Sequence, residues 1–517
     1  MSAEQTLLQR TVRSPRLHRA MRSALHARLE TLVGVLIPEG TPVARTVDGL
    51  LKQASDALSV NEAQQVWLTL AVMAARLPEA GEVVTLRRLG ELSGAAALLA
   101  EAIRRMPTET LGHRVEVATG EVLVDVNHLA QTTLMTGIQR VTHMTVRRWH
   151  RDHEVSFVCW TADYLALRRA TANETARALA GPGPDQTPDA DRSERATVVI
   201  PWRSHFSLPE VALEVPRTKR MQALALYGGC ATAVIGFDTV PLTSAETTDT
   251  NVPGYFMHEL AAIRHMDRVA TISQAANTEY QGWRTMISSL GVPGPDVRTI
   301  SLPVEATEPS AETLAAARQR YCVPGVPLVL CVGSHEPRKN HLAVLHAAEL
   351  LWRQGLEFSL VFVGGNAWHS GRFHRRVTEL QETERPVEAA FGASDDTLWA
   401  LYRLARCTVF PSLNEGFGLP VAESLASGTP VVTSNFGSMF EIGAEGGALL
   451  VNPRDDHAVA AAIKTLLTDD LTHARLVREA AARPSRGWED YARETWDYMV
   501  ASNPLPDEMP EPGPRAQ

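Results

Sequence analysis

Cysteine is scarce and irregularly spaced: five residues in 517 (Cys159, Cys230, Cys322, Cys331, Cys407), none in a C-x-x-C pair. An odd, scattered set argues against a disulfide framework or a zinc ribbon and favours reduced, buried thiols in a cytoplasmic protein. Long apolar runs are missing, so no segment reaches the length that spans a bilayer. Met1 is followed by a polar, Arg-rich stretch rather than the apolar core of a secretory signal. Positive charge is not in excess either. Fifty Lys and Arg against 59 Asp and Glu leave a formal charge of -9, which argues against general nucleic-acid binding. The remainder is 44% hydrophobic and 21% charged, the make-up of a globular chain long enough for two or three domains.

Residues 1–112 are rich in Ala, Leu, Arg and Glu and read as a helical extension. Arg10, Arg13, Arg16, Arg19 and Arg22 recur every third position, so they drift slowly round a helix. Such a face suits a weak peripheral contact with anionic lipid or simply faces solvent; Pro15 interrupts the run. The pattern then changes. Val122–Val126, Val198–Ile200, Ala233–Asp238 and Val269–Ile272 are short β-branched runs separated by helical stretches, which predicts an α/β domain over 113–305. Gly181–Asp191 reads as a flexible loop. A second series follows over 306–484, with strands at Leu328–Gly333, Leu360–Gly365, Thr408–Phe410 and Pro430–Thr433. Two such units predict Rossmann-like domains facing across a cleft. A helix over 485–502 and a Pro-rich, disordered tail over 503–517 complete the chain.

The densest chemical signal is Pro411–Glu423, which sets Glu415 and Glu423 eight positions apart around Gly416, Phe417, Gly418 and Leu419. Glycine admits close backbone approach, and Pro420 suits the first turn of a helix. Free N–H groups at that helix start favour an anion or a hydroxyl-rich ligand, while two carboxylates can accept paired hydrogen bonds from vicinal hydroxyls. Together these features predict a nucleotide-sugar pocket. The second signal runs from Gly333 and Ser334 through Arg338, Lys339 and Asn340, where a strand ends and a helix begins. Adjacent Arg and Lys at a strand's carboxyl edge suit a diphosphate. Basic residues at a helix start are otherwise unfavourable.

These residues resemble the retaining GT-B glycosyltransferases of family 4, densely so over 327–456. The resemblance rests on Glu415 and Glu423, on Pro337–Asn340, on Ser434–Glu441, on Asp395-Asp396 through Tyr402 and on Leu449–Pro453. In the first half, Asp125 and the Thr136-Gly137-Ile138-Gln139-Arg140 stretch resemble the acceptor-side glycine loop of bacterial, mannosyltransferase-like members. Phe237-Asp238 stands where many members read His-Asp, so the donor-orienting role of that histidine does not carry over. Ser273 matches a strand-end serine, and Trp488 and Tyr491 match the final helix that returns to the first domain.

The resemblance implies transfer without a metal or a dedicated base. Arg338 and Lys339 would stabilise the departing diphosphate, Glu423 would bind ribose, and Glu415 with the amides of Phe417 and Gly418 would hold the donor sugar. It also implies a GDP- or UDP-hexose donor, mannose favoured, and a hydroxyl acceptor such as a polysaccharide, a lipid-linked sugar or a natural product. Asp189-x-Asp191 has the form of a metal motif but lies in the Pro/Gly-rich loop. His335 reads either as a donor contact or as a solvent-facing or second-layer side chain; Trp368 and His369 read as a border of the nucleotide or acceptor, with plain packing the default for Trp368. Two rivals share the residue pattern: a related epimerase or phosphorylase, and a glycan-binding scaffold with a decayed site.

Overall fold

The computed structural model describes residues 15–132, 136–180 and 197–505. Arg10, Arg13, Met135, the 181–191 loop with Asp189 and Asp191, and residues 506–517 lie outside the described residues. The chain opens with helices α1 (Pro15–Leu36), α2 (Val47–Ala57), α3 (Ala63–Ala74), α4 (Ala80–Ser93) and α5 (Ala95–Arg104). Two sheets follow. The first is β1 (Arg114–Thr119), β2 (Val122–Asp125), β3 (Ser156–Trp160), β4 (Leu167–Arg169), β5 (Thr197–Trp202), β6 (His205–Leu208), β7 (Ala231–Gly236), β8 (Arg268–Thr271) and β9 (Asp296–Thr299). Its order is β1-β5-β4-β3-β2-β6-β7-β8-β9, and only β4 runs antiparallel. Helices α6 (Gly137–Asp152), α7 (Val215–Tyr227), α8 (Val252–Ile263) and α9 (Gln274–Ser288) lie among its connections.

The second sheet is β10 (Leu328–Val332), β11 (Ser359–Val363), β12 (Val387–Ala390), β13 (Cys407–Phe410), β14 (Val431–Ser434) and β15 (Ala448–Val451). All its pairs are parallel, in the order β12-β11-β10-β13-β14-β15. That is the doubly wound order, whose direction reverses between β10 and β13 and opens a crevice at their carboxyl ends. Helices α10 (His341–Arg353) and α11 (Leu419–Ala426) follow those ends, α12 (Gly437–Gly443) follows β14, and α13 (Trp488–Trp496) runs into a π-helical turn at Asp497–Ala501.

The strands form where β-branched and apolar residues run together, and β7, β10 and β11 are buried along their whole length, as expected for strands covered on both faces. One core joins the two sheets: Phe237, Ile272 and Val124 pack in the same buried cluster as Phe410, Phe417 and Met439. Helix α13 returns to the first domain, where the Trp149 indole donates to Ala492 O at 2.9 Å and Trp149 meets Trp496 edge-on. Trp488 and Tyr491 are both buried there.

The N-terminal region is helical, as expected, and it packs into the first domain. Trp67, Leu68, Leu70 and Val72 of α3 share one core with Trp160, Val199, Ile200 and Trp202 of the first sheet. Asn503, expected in the tail, is instead buried, and its carbonyl meets His205 Nε2 at 2.8 Å. Of the basic run, Arg19 and Arg22 are exposed on α1. Among the described residues no helix is long and apolar enough to cross a membrane.

Candidate functional site

The site grows from the two strand ends that flank the crevice of the second sheet. Gly333 leaves β10 with φ 144°, and the chain makes a 3-10 turn at Pro337–Lys339 before Asn340, in the left-handed region, caps α10. Strand β11 turns beside it. A Cβ on Gly364 would lie 1.9 Å from Gly333 O, so only glycine fits between these two strand ends. From β13 the chain runs through Pro411–Gly418 into α11. Gly418, at φ 97°, occupies the N-cap, and Pro420 lies in the first helical turn.

These two segments touch. Lys339 Nζ is 2.6 Å from Glu415 Oε1, and Arg338 Nη1 is 2.7 Å from Glu415 Oε2. Arg338 also donates to Asn414 O at 2.7 Å and to Glu336 Oε1 at 2.9 Å, and Ser334 Oγ donates to the same Glu336 oxygen at 3.1 Å. Ser412 Oγ adds a 2.7 Å bond to Glu415 Oε1. Burial works against a charge on Glu415, but Arg338 and Lys339 outweigh it and hold the carboxyl at about 2. Glu415, expected to hold a sugar, here pins the basic pair. Lys339 Nζ has three donors and spends one at short range, so its remaining hydrogens are available to a ligand.

The first domain supplies the other wall. Ser273 Oγ donates to Gly416 O at 2.6 Å, and Glu441 accepts from Gln274 N and Ala275 N at 3.1 and 3.2 Å at the start of α9. Asn414 Nδ2 donates to Thr243 Oγ1 at 2.9 Å. Gly137, the first residue of α6, would place a Cβ 3.4 Å from Leu419, so the amino ends of α6 and α11 meet. Arg140, one turn along α6, reaches Glu423 Oε1 at 2.7 Å, and Tyr402 OH donates to Glu423 Oε2 at 2.9 Å. Burial raises the Glu423 pKa, against the pull of Arg140 and Tyr402. Asp238, two residues past β7, lies against Gly416, with Oδ1 accepting from Val240 N at 3.0 Å. Burial pushes its carboxyl up to about 6, partly offset by Arg338.

Gly416 is a glycine for space rather than for φ. An added Cβ would lie 2.7 Å from both Asp238 Oδ2 and Phe237 O. Gly416→Ala is therefore expected to wedge the domains apart at a cost of ~1–3 kcal/mol, the scale of overpacking. Urea unfolding measures it, and an unchanged midpoint would show that the contact is slack.

Gly333, Arg338, Lys339, Glu415, Gly416, Gly418, Glu423, Gly137, Arg140 and Asp238 lie along these two walls, but several neighbours do not behave as expected. His335 is 1% exposed, enclosed by His341, Phe373, His374 and Phe391. It is not solvent-facing, and burial lowers its pKa to about 4, so it is neutral. Trp368 is exposed, and its indole bridges the domains to Thr247 O at 2.8 Å. It does more than pack.

Apart from Asp125, a second polar cluster escaped the sequence reading. At the β2 and β6 ends, where the first sheet reverses, Arg217 is fully buried between Asp125 (3.0 Å) and Glu210 (2.8 Å). Trp160 Nε1 donates to Asp125 Oδ2 at 2.7 Å, and Glu214 pairs with His128 Nε2 at 2.8 Å. The only signal was a scatter of acids around one Arg over 210–217. Nearby, Glu259 on α8 accepts from Ala212 N at 2.9 Å, and burial pushes its carboxyl up to about 8. The folded state keeps this proton where the unfolded chain, at ~4.3, has released it. Stability should therefore fall as pH rises from about 4.3 and stop falling near 8. Glu259→Gln is expected to flatten that slope in a series of melts across this range, and an unaltered slope would count against it.

Residues 318–483 match the family model described as glycosyl transferases group 1. The serotype-specific mannosyltransferase WbdA of Escherichia coli is 26% identical over 343 residues, 63% of this chain and 39% of that protein. An O-antigen chain mannosyltransferase B of Escherichia coli is 32% identical over 179 residues, 34% of this chain and 46% of that protein. The chain thus spans under half the length of these relatives. Among solved structures, Anabaena Alr3699/HepE in complex with UDP and glucose aligns with a TM-score of 0.53 at 13% identity, over 74% of this chain and 100% of that one. The family-model match falls on the second domain, where the motif resemblance is densest. The two facing Rossmann-like sheets are a GT-B fold.

Proposed function

We propose that this chain is a retaining glycosyltransferase that moves a hexose, mannose in the first instance, from a nucleoside diphosphate sugar to an acceptor hydroxyl. One observation carries the reading. Arg338 and Lys339 converge on Glu415 at the reversal point of the second sheet, beside the amino end of α11. Two cations beside the glycine-rich turn of residues 416–418 suit a diphosphate. As the glycosidic bond breaks, negative charge grows on the leaving phosphate, and Lys339 with the α11 amides stabilises it more than the ground state. The leaving oxygen takes the acceptor's proton on the same face, which retains the anomeric configuration. Glu423 takes the ribose hydroxyls, and Asp238 faces the acceptor side. The names of the mannosyltransferase relatives favour mannose, and the pairing of mannose with GDP favours a guanine nucleotide. A growing polysaccharide, a lipid-linked sugar or a natural product would each supply the acceptor hydroxyl.

A thermal-shift panel of GDP- and UDP-sugars tests this, because a ligand that binds only the native state raises the melting point by mass action. One nucleotide series should raise it by several degrees. No shift with any donor at millimolar concentration would overturn the reading.

A further inference from the structure

We propose that Arg140 is a ligand-displaced strap, resting on the donor-site reading above. Its guanidinium pairs with Glu423, the carboxylate assigned to the ribose, and when a nucleoside diphosphate binds it swings to the diphosphate. Glu423 is 5% exposed and both its oxygens already have partners, Arg140 Nη1 on Oε1 and Tyr402 OH on Oε2. The two partners differ in kind. Tyr402 is fully enclosed and comes from the same domain, so it fixes the orientation of the carboxylate. Arg140 comes from the other domain, 283 positions away in sequence, and its side chain is 29% exposed. It therefore has room to leave.

Ribose hydroxyls and the Arg140 guanidinium are both donors seeking lone pairs on the same buried carboxylate. With Glu423 buried and Tyr402 behind Oε2, a diol that reaches Oε1 takes the place Arg140 holds there. Its next partner is close. Glu423 lies four residues, or ~6 Å, beyond Leu419 along the axis of α11. The first residue of α6, one turn before Arg140, already abuts Leu419. A swing of about one helical turn thus carries the guanidinium to the amino end of α11, where the proposed diphosphate lies. Arg suits this exchange, because its planar fork pairs equally well with carboxylate and phosphate. The same residue would then close the first domain onto the loaded donor.

The exchange predicts effects of opposite sign for two ligands that differ only in their phosphates. Guanosine and GDP, and uridine and UDP, are titrated calorimetrically into the full chain and into Arg140→Met. The nucleoside should bind the variant more tightly, by roughly tenfold, because its hydroxyls no longer compete and now supply the hydrogen bonds Glu423 has lost. The diphosphate should bind it more weakly, by roughly tenfold, for want of one charge-assisted contact. Arg140→Lys, which keeps the cation but shortens the reach, should tighten the nucleoside while holding the diphosphate within a few-fold of wild type. A merely structural Arg140 would move nucleoside and diphosphate the same way in both variants, and that result overturns the strap while leaving the donor site standing. A wild-type chain that binds neither GDP nor UDP overturns the donor site itself.

Discussion

A chain that begins at residue 106 is expected to be recovered unfolded or aggregated rather than as a trimmed, ligand-binding protein. From composition alone, residues 1–112 look like an accessory helical layer whose loss leaves donor binding intact. The packing says otherwise. Helix α1 lies along β1, α3 along β5, and α3 and α4 along α7. Leu77 N donates to Leu165 O at 2.9 Å, and Arg220 of α7 reaches Glu79. Removing these helices strips the cover from Trp160, Val199, Ile200 and Trp202 at once. Each such side chain contributes ~1.5–3 kcal/mol when buried. With the helices' own core, the loss exceeds the ~5–15 kcal/mol that holds a domain together. Gel filtration and far-ultraviolet circular dichroism of the truncated chain measure the outcome. A monomeric, cooperatively melting product would refute the shared core.

The signal for that core was present in the sequence. Val66–Ala74 is apolar right round the helix, with nine consecutive buried residues, and a helix without a polar face belongs inside a protein. Reading residues 1–112 by overall composition averaged that helix with its charged neighbours. The strands of the second domain were legible because β10, β11, β13 and β14 are short, fully buried runs that carry Val or Thr. Strands such as β1, with its alternating Arg and Glu, and β9 at the sheet edge lack that mark. Motif spacing brought out the residues of the candidate site, since Gly333 through Asn340 and Glu415 through Glu423 are each local in sequence. Their pairing was not legible. That Glu415 faces Arg338 and Lys339, and that Arg140 faces Glu423, depends on contacts 76 to 283 positions apart. Such contacts are decided by which strand ends lie together, and only the sheet order fixes that.

Replacing Lys339 by Ala separates the two uses of this charge cluster. For catalysis, kcat/KM is expected to fall by at least ~2 kcal/mol, roughly thirtyfold, the scale of a charge-assisted donor lost from a transition state. The loss should appear mainly in kcat if Lys339 acts on charge that develops as the bond breaks, and mainly in KM if it only holds the ground-state donor. For stability, the substitution leaves Glu415 with Arg338 as its one nearby cation on that side. The carboxyl is held at about 2 in the folded chain, against ~4.3 when unfolded. Its contribution is therefore complete above about 4.3 and fades as pH falls toward 2. Without Lys339 the folded value rises, so the contribution shrinks and the fade ends at a higher pH, visible as earlier acid unfolding. Arg338 remains to orient the loop, so the neutral-pH fold should survive and the kinetic loss can be read cleanly. Wild-type turnover in a variant that shows the acid shift would mean that Lys339 serves Glu415 alone, and the leaving-group role would have to pass to Arg338 and the amides of α11.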